Sequence, residues 1–294
     1  MRVGVTGASG LIGSALVPSL RAEGHDVVRF VRRPDGALDA RHWDGERLAP
    51  DAVADLGAVV HLAGAGVGDR RWTTSYKRQV LDSRVRGTAA VANAVAAGGT
   101  PVLLSASAVG WYGDTGDTLT DENGRHGRGY LAEVCRAWEA GTAPADTRAR
   151  VVHLRTGIVL SGRGGALRKQ LPLFKAGLGA PLGSGRQWLS WISLHDEVAA
   201  IRHLLTADVV GPVNLVAPAP VTNRDFTRAL GKAVHRPTVP VPVPGFALRL
   251  ALGQFAEDGV LIGQRLAPRV LDRSGFTFAH PDLRSALEAG LAQE

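Results

Sequence analysis

Two kinds of apolar pattern alternate along the first 160 positions. Short runs with little polar interruption, "RVGV", "DVVRFV", "GAVVHL", "PVLLSASA" and "ARVVHL", are separated by longer stretches with helical spacing of the apolar residues. Continuous apolar runs of this length suit strands covered on both faces, and a 3.6-residue recurrence suits an amphipathic helix. Leu11, Ile12, Ala15, Leu16 and Leu20 form one such helical face, closed by Gly24. Pro18 falls inside it and is expected to remove a hydrogen bond or introduce a kink. The strand–helix alternation predicts an α/β fold with a parallel, doubly wound sheet.

The turn between the first strand and the first helix is "GASGLIG", a G-x-x-G-x-x-G spacing. Glycines permit a tight turn and let the backbone approach a pyrophosphate, whose charge rests at the helix N-terminus. Flanked by a strand and a helix, with a second strand following, the motif predicts a Rossmann-type dinucleotide site at Gly7, Ser9, Gly10, Leu11, Ile12 and Gly13. Arg32 and Arg33 stand at the end of the second strand, with no acid before Asp35. An acid there would bind the adenosine ribose of NAD, whereas an arginine pairs with the 2′-phosphate of NADP, so NADP (NADPH) is expected. Ala63 and Gly64 end the third apolar run with side chains small enough to face a cofactor. Ligands of such sheets lie at the carboxyl ends of the strands, where Gly7, Gly64 and Ser107 fall.

Composition then narrows the partners. The 294 residues are 45% hydrophobic, enough for one large domain or a domain with a second lobe, yet no apolar run reaches 18 residues, so no membrane span is expected. The chain opens directly on a strand without a signal-peptide pattern. Its single cysteine, Cys135, excludes an internal disulfide framework and fits a reducing cytoplasm. A formal charge of +7 raises the question of nucleic acid. The cations are scattered, however, and apart from Lys77, Lys169, Lys175 and Lys232 they are all arginine. With no basic run of five, a phosphate-bearing small molecule is the better expectation. No His, Cys, Asp and Glu cluster has metal-ligand spacing.

In order along the chain, "VTGASGLIG", "HLAG", "RRW", "SASAVGWYGD", "RTGIVLS", "GGAL", "GLGAPLGSGRQWLSWISLHDEVAA", "NLVAPAPVTN" and "GQR" resemble the nucleoside-diphosphate-sugar epimerase-like family of atypical short-chain dehydrogenases/reductases. The resemblance spans nearly the whole chain. It implies an NADP-binding Rossmann domain over 1–160, completed by 187–216. A smaller α/β substrate lobe follows from 161–186 and 217–294, and 245–294 resembles the family's small helical C-terminal domain. It also implies cofactor contacts at Val31 and Arg32, at Leu62 and Ala63, and at Arg84. Many relatives form homodimers through the flanking helices.

In extended short-chain dehydrogenases a tyrosine moves the proton, and a lysine four residues later lowers its pKa. Unassisted, a phenol near pKa 10 is a poor base at neutral pH. Here Tyr76, Tyr112 and Tyr130 are followed four residues on by Val80, Gly116 and Val134, so no Tyr-x-x-x-Lys exists. Ser107, in "SASAVGWYG", matches the substrate-orienting serine, and Tyr112 is the remaining phenol near that strand end. Tyr130, Val134, Cys135 and Trp138 share a helical face that reads as packing, with Tyr130 a candidate substrate contact. Arg186 and Gln187 are candidates for substrate phosphate or hydroxyls. Trp188 and Trp191 can stack or pack. Asp196 suits a helix cap, and His153 reads as a core histidine. An NADP-dependent epimerase or reductase acting on a nucleotide-sugar, or a similar polar carbonyl or hydroxyl compound, is the first expectation. An NADP(H)-binding sensor with little turnover, which needs no acid–base pair, is the alternative. A lyase or isomerase holding NADP structurally is a third.

Overall fold

The computed structural model describes residues 1–33 and 36–292. Pro34 and Asp35, with which the sequence bounds the cofactor-selecting stretch, and the last two residues of the expected helical subdomain lie outside them. Among the described residues seven strands form one parallel sheet: β1 (Arg2–Thr6), β2 (Asp26–Val31), β3 (Ala40–His42), β4 (Ala58–His61), β5 (Val102–Ala108), β6 (Arg150–Thr156) and, later in the chain, β10 (Gly211–Leu215). Their spatial order is β10-β6-β5-β4-β1-β2-β3, so the chain reverses direction between β1 and β4. In open α/β sheets such a reversal leaves a crevice at the carboxyl ends of the strands.

The apolar runs are continuous because both faces are covered. On one face Val3, Val5, Leu104, Val152 and Leu154 pack with Leu16 and Leu20 of α1 (Leu11–Ala22) and with Ile201 and Leu204 of α5 (Leu194–Thr206). On the other, Val28, Val59, Leu103 and Val151 pack with Val91 and Val95 of α2 (Thr74–Gly98). α3 (Tyr130–Ala140) covers the same face beside β5. Pro18 is accommodated within α1, which runs on to Ala22.

β3 gave no apolar signal, because as an edge strand it is held by charge. Arg29 makes a two-pronged pair with Asp39 at 2.7 Å on both arms, and this pulls the Asp39 carboxyl down to about 2. Beyond β6 the chain leaves the sheet at Gly157, where an added Cβ would lie 2.7 Å from the Ser190 carbonyl oxygen. β7 (Ile158–Leu160) then pairs with β9 (Trp191–Ser193), and β8 (Trp188–Leu189) with β11 (Val221–Thr222). α4 (Gly165–Lys175), α6 (Asn223–Ala233) and α9 (Leu283–Leu291) close around the buried Trp191, Phe174, Phe226 and Leu287. α7 (Gly245–Leu252) and α8 (Arg269–Arg273) complete the C-terminal segment. Trp191 is therefore a core residue, whereas Trp188 lies half-buried under the Arg265 guanidinium, 4.2 Å from its ring centre.

The cap of α5 differs from expectation. Ser193, not Asp196, accepts the first-turn amide, and the buried Asp196 carboxylate instead accepts from Ala279 N and His280 N, tying down the C-terminal segment. His153 is satisfied within the core, its Nε2 lying 2.9 Å from Thr142 Oγ1.

Candidate functional site

The glycine turn is shaped by close approach. Gly7 has φ +66°, and a Cβ there would sit 2.8 Å from the Leu62 backbone. A Cβ on Gly13 would sit 2.3 Å from Gly7 O. Neither position admits another residue without moving the backbone. The turn closes with Gly10 N donating to Gly7 O at 2.9 Å. α1 then begins with no side-chain cap and no acid in its first turn. Amides with the positive end of the helix behind them suit an anion.

A buried polar knot, which the sequence did not reveal, holds this turn against β4. Thr6 Oγ1 accepts from the amides of Leu62 (3.1 Å) and Ala63 (3.3 Å), so its own hydrogen is left for His61 Nδ1 at 2.8 Å. His61 Nε2 then faces Thr88 Oγ1 at 3.1 Å. The ring is fully enclosed, and burial pushes it down to about 4, so it is neutral near pH 7. Leu62, Ala63 and Gly64 are thereby fixed beside Gly7. Arg84 lies against Gly64, whose Cβ would meet its guanidinium carbon at 3.4 Å, and stacks over Trp138. Its Nη1 donates to Ala65 O and Val80 O, and burial lowers its pKa. At the far side of the turn, Val31 ends β2 half-buried and Arg32 is exposed.

The carboxyl ends of β5 and β6 are built from charge. Ser107 Oγ donates to Glu139 Oε1 at 2.6 Å. Arg155 grips the same carboxylate with both arms, at 2.8 and 2.9 Å. Arg155 Nη1 also donates to the Tyr112 hydroxyl at 3.0 Å, and that hydroxyl donates to Asn214 Oδ1 at 2.7 Å. All five side chains are buried. Burial pushes the Tyr112 phenol up to about 12 despite the adjoining guanidinium. With its proton held by Asn214, Tyr112 is poorly disposed to exchange it at neutral pH. The signal for this cluster was an arginine, Arg155, near the end of a strand whose apolar run predicts burial, since a buried cation needs a buried partner. Spacing alone did not identify Glu139 as that partner.

The absent lysine has no spatial substitute at Tyr130. The Lys77 ammonium sits 4.5 Å from the Tyr130 ring centre, over its face, while the Tyr130 hydroxyl donates to the Lys77 backbone carbonyl. Burial raises its pKa. Val134, Cys135 and Trp138 are buried on α3, and the enclosed Cys135 thiol is pushed up to about 12. Ahead of β8, Gln187 Nε2 is committed to Leu182 O and Val260 O at 3.0 and 3.1 Å, and Arg186 is exposed. The structure thus brings Ser107 and Tyr112 into one network and places Tyr130, Arg186 and Gln187 outside it. Among the described residues no His, Cys, Asp and Glu group is arranged to hold a metal ion, and no helix is long and apolar enough to cross a membrane.

A family model described as the NAD dependent epimerase/dehydratase family matches residues 3–216, and a domain of unknown function, DUF1731, matches 243–289. The epimerase family protein Mb2239 of Mycobacterium bovis is 50% identical over 97% of this chain and 96% of its own length. Among solved structures, human epimerase family protein SDR39U1 (isoform 2) with NADPH superposes with a TM-score of 0.91 at 31% identity, covering 100% of both chains. A nucleoside-diphosphate sugar epimerase from Corynebacterium glutamicum gives 0.83 at 36% identity, covering 100% of this chain and 59% of that one.

Proposed function

The chain belongs to the NAD dependent epimerase/dehydratase family, and from that premise we propose that it binds NADPH and transfers hydride to or from a polar carbonyl or hydroxyl substrate of the nucleotide-sugar type. The observation that carries the reading is the turn Gly7–Gly13, packed onto Leu62 and Ala63 and opening an uncapped α1. Those amides would hold the pyrophosphate. Arg32, exposed at the end of β2, would pair with the 2′-phosphate, and Gly64 with Arg84 would line the opposite wall. The human relative solved with NADPH supports this assignment. When bound, reduced nicotinamide would supply the hydride to a carbonyl, and its oxidised form would accept hydride from an alcohol in the reverse direction.

The proton is the part this chain must handle without a tyrosine–lysine pair. Ser107 Oγ can take the proton of a substrate hydroxyl as its own passes along the 2.6 Å bond to Glu139 Oε1. Reduction of a carbonyl runs the same path backwards. Arg155 holds the carboxylate in place, and Tyr112 helps to orient Arg155 rather than moving a proton.

Nicotinamide fluorescence titrations with NADPH and NADH, on wild type and Arg32→Ala, test the cofactor reading. Loss of a phosphate–arginine contact should weaken NADPH binding by about tenfold or more and leave NADH unchanged. Failure to bind either nucleotide would overturn the reading. Tight NADPH binding with no turnover across nucleotide-sugars and simple diketones would point instead to a chain that only senses the cofactor.

A further inference from the structure

We propose that the cleft between the 113–128 loop and the C-terminal segment is the subsite for the phosphate of a phosphorylated substrate, with Arg125 and Arg128 as its cations. The proposal rests on the reading above and extends it, because it moves the expected phosphate contact away from Arg186 and Gln187. The cleft is open to solvent and has a volume of about 550 Å³, within the range of ligand-binding clefts. Tyr112, whose hydroxyl is tied to Ser107 through Arg155 and Glu139, contributes to its wall.

The charges in this cleft are not equivalent. Its two acids are already engaged by donors of the protein. Asp114 Oδ1 accepts from Gly116 N at 3.1 Å and from Gly263 N at 3.2 Å. Asp258 Oδ2 accepts from Tyr130 N and from Gln254 Nε2, both at 3.3 Å. Arg125 and Arg128 are exposed and, among the described residues, their guanidinium groups make no hydrogen bond or ion pair. A ligand entering the cleft therefore meets two free guanidinium groups, each able to bind phosphate with two arms.

Asp258 bears on how strongly the subsite holds an anion. It reaches across from the C-terminal segment to the start of α3, where a Cβ on Gly129 would be 3.2 Å from its carboxylate. α3 has no side-chain cap of its own at Gly129. An internal carboxylate thus already occupies the anion-attracting end of α3, beside Arg128. A phosphate bound at Arg125 and Arg128 must share that field with Asp258. Asp258 therefore tunes the subsite by repulsion.

Calorimetric titration of the NADPH-saturated protein with UDP, and with uridine as the uncharged control, tests this. Saturation keeps UDP out of the dinucleotide site, and the separate NADPH titration reports on that site. Wild type should bind UDP and bind uridine far more weakly. Arg125→Ala with Arg128→Ala should weaken UDP by about tenfold or more while NADPH affinity holds. Asp258→Asn should tighten UDP binding, and Arg186→Ala should leave it unchanged. Absence of UDP binding, indifference to the paired arginine substitutions, or loss in Arg186→Ala instead would each overturn the proposal. If NADPH binds while UDP does not, the subsite fails and the cofactor reading stands. If NADPH fails to bind, titration of the free protein still decides the subsite.

Discussion

At β1 and β4 the site is made of backbone, with glycines that no side chain can replace, free first-turn amides and a neutral His61 locked between two threonines. At β5 and β6, within the same sheet, it is made of side chains, with Ser107, Glu139, Arg155, Tyr112 and Asn214 linked by short polar contacts in the core. The first half sets Arg84 against Gly64 and Arg32 just past β2, and awaits an anion. The second contains a complete ion pair and is satisfied without a ligand. Stability and function should therefore separate differently in the two halves.

The largest effect is expected from Arg155→Ala. The substitution leaves Glu139 buried, with only Ser107 as a close partner and His153 Nδ1 at 3.8 Å. Breaking a buried ion pair from one side costs about 3–5 kcal/mol. Urea denaturation should show that loss, while NADPH affinity of the protein that remains folded in the cold stays near wild type. A loss of NADPH affinity matching the loss of stability would show that the two halves are coupled.

Glu197 sharpens the comparison from the opposite face of β6. It is fully buried, one carboxylate oxygen meets Thr156 Oγ1 at 2.9 Å, and the other has no hydrogen-bond partner among the described residues. Burial pushes its pKa from 4.5 to about 8, so the folded protein holds a proton that the unfolded chain gives up first. The stability that depends on this proton is fully present below pH 4.5 and is lost progressively as pH rises to about 8. Glu197→Gln removes the dependence. At 1.36 kcal/mol per pH unit its advantage over wild type should be near zero at pH 4.5 and about 3 kcal/mol at pH 7. Equal pH slopes for the two proteins in urea titrations would show that Glu197 is ionised in the fold.

The same division explains what could be read in advance. Apolar runs located β1, β2, β4, β5 and β6 because burial on both faces leaves a one-dimensional trace, and "GASGLIG" is a local instruction for a local turn. β3 escaped because Arg29 with Asp39, and Arg41 with Asp55, hold it by charge, and charged segments look like loops. The Ser107 network escaped for a different reason. Its partners come from positions 107, 112, 139, 155 and 214, and no local spacing links them. Arg155, near the end of a buried strand, announced that a partner must exist without naming it. Asp196 shows the converse, because its sequence context suited a cap, yet its carboxylate was drawn to the amides of Ala279 and His280, more than 80 residues away.

The smallest change in stability, and the sharpest distinction between structure and chemistry, is expected at Ser107. Ser107→Ala removes one donor to Glu139 Oε1, but that oxygen keeps Arg155 Nε at 2.8 Å, so no buried charge is orphaned. The cost should be about 1 kcal/mol, the ordinary net value of one hydrogen bond. NADPH affinity should not move, since Gly7, Gly13 and Arg32 are untouched. If Ser107 passes the proton between substrate and Glu139, turnover falls steeply in this variant, whose fold and cofactor binding remain intact, and Ser107→Thr, which restores a hydroxyl, recovers part of it. If the serine only completes the packing of the ion pair, turnover tracks the small change in stability and the two variants behave alike. Single-turnover hydride transfer, followed by nicotinamide absorbance with whichever substrate the nucleotide-sugar screen yields, separates these outcomes because it isolates the chemical step from cofactor binding.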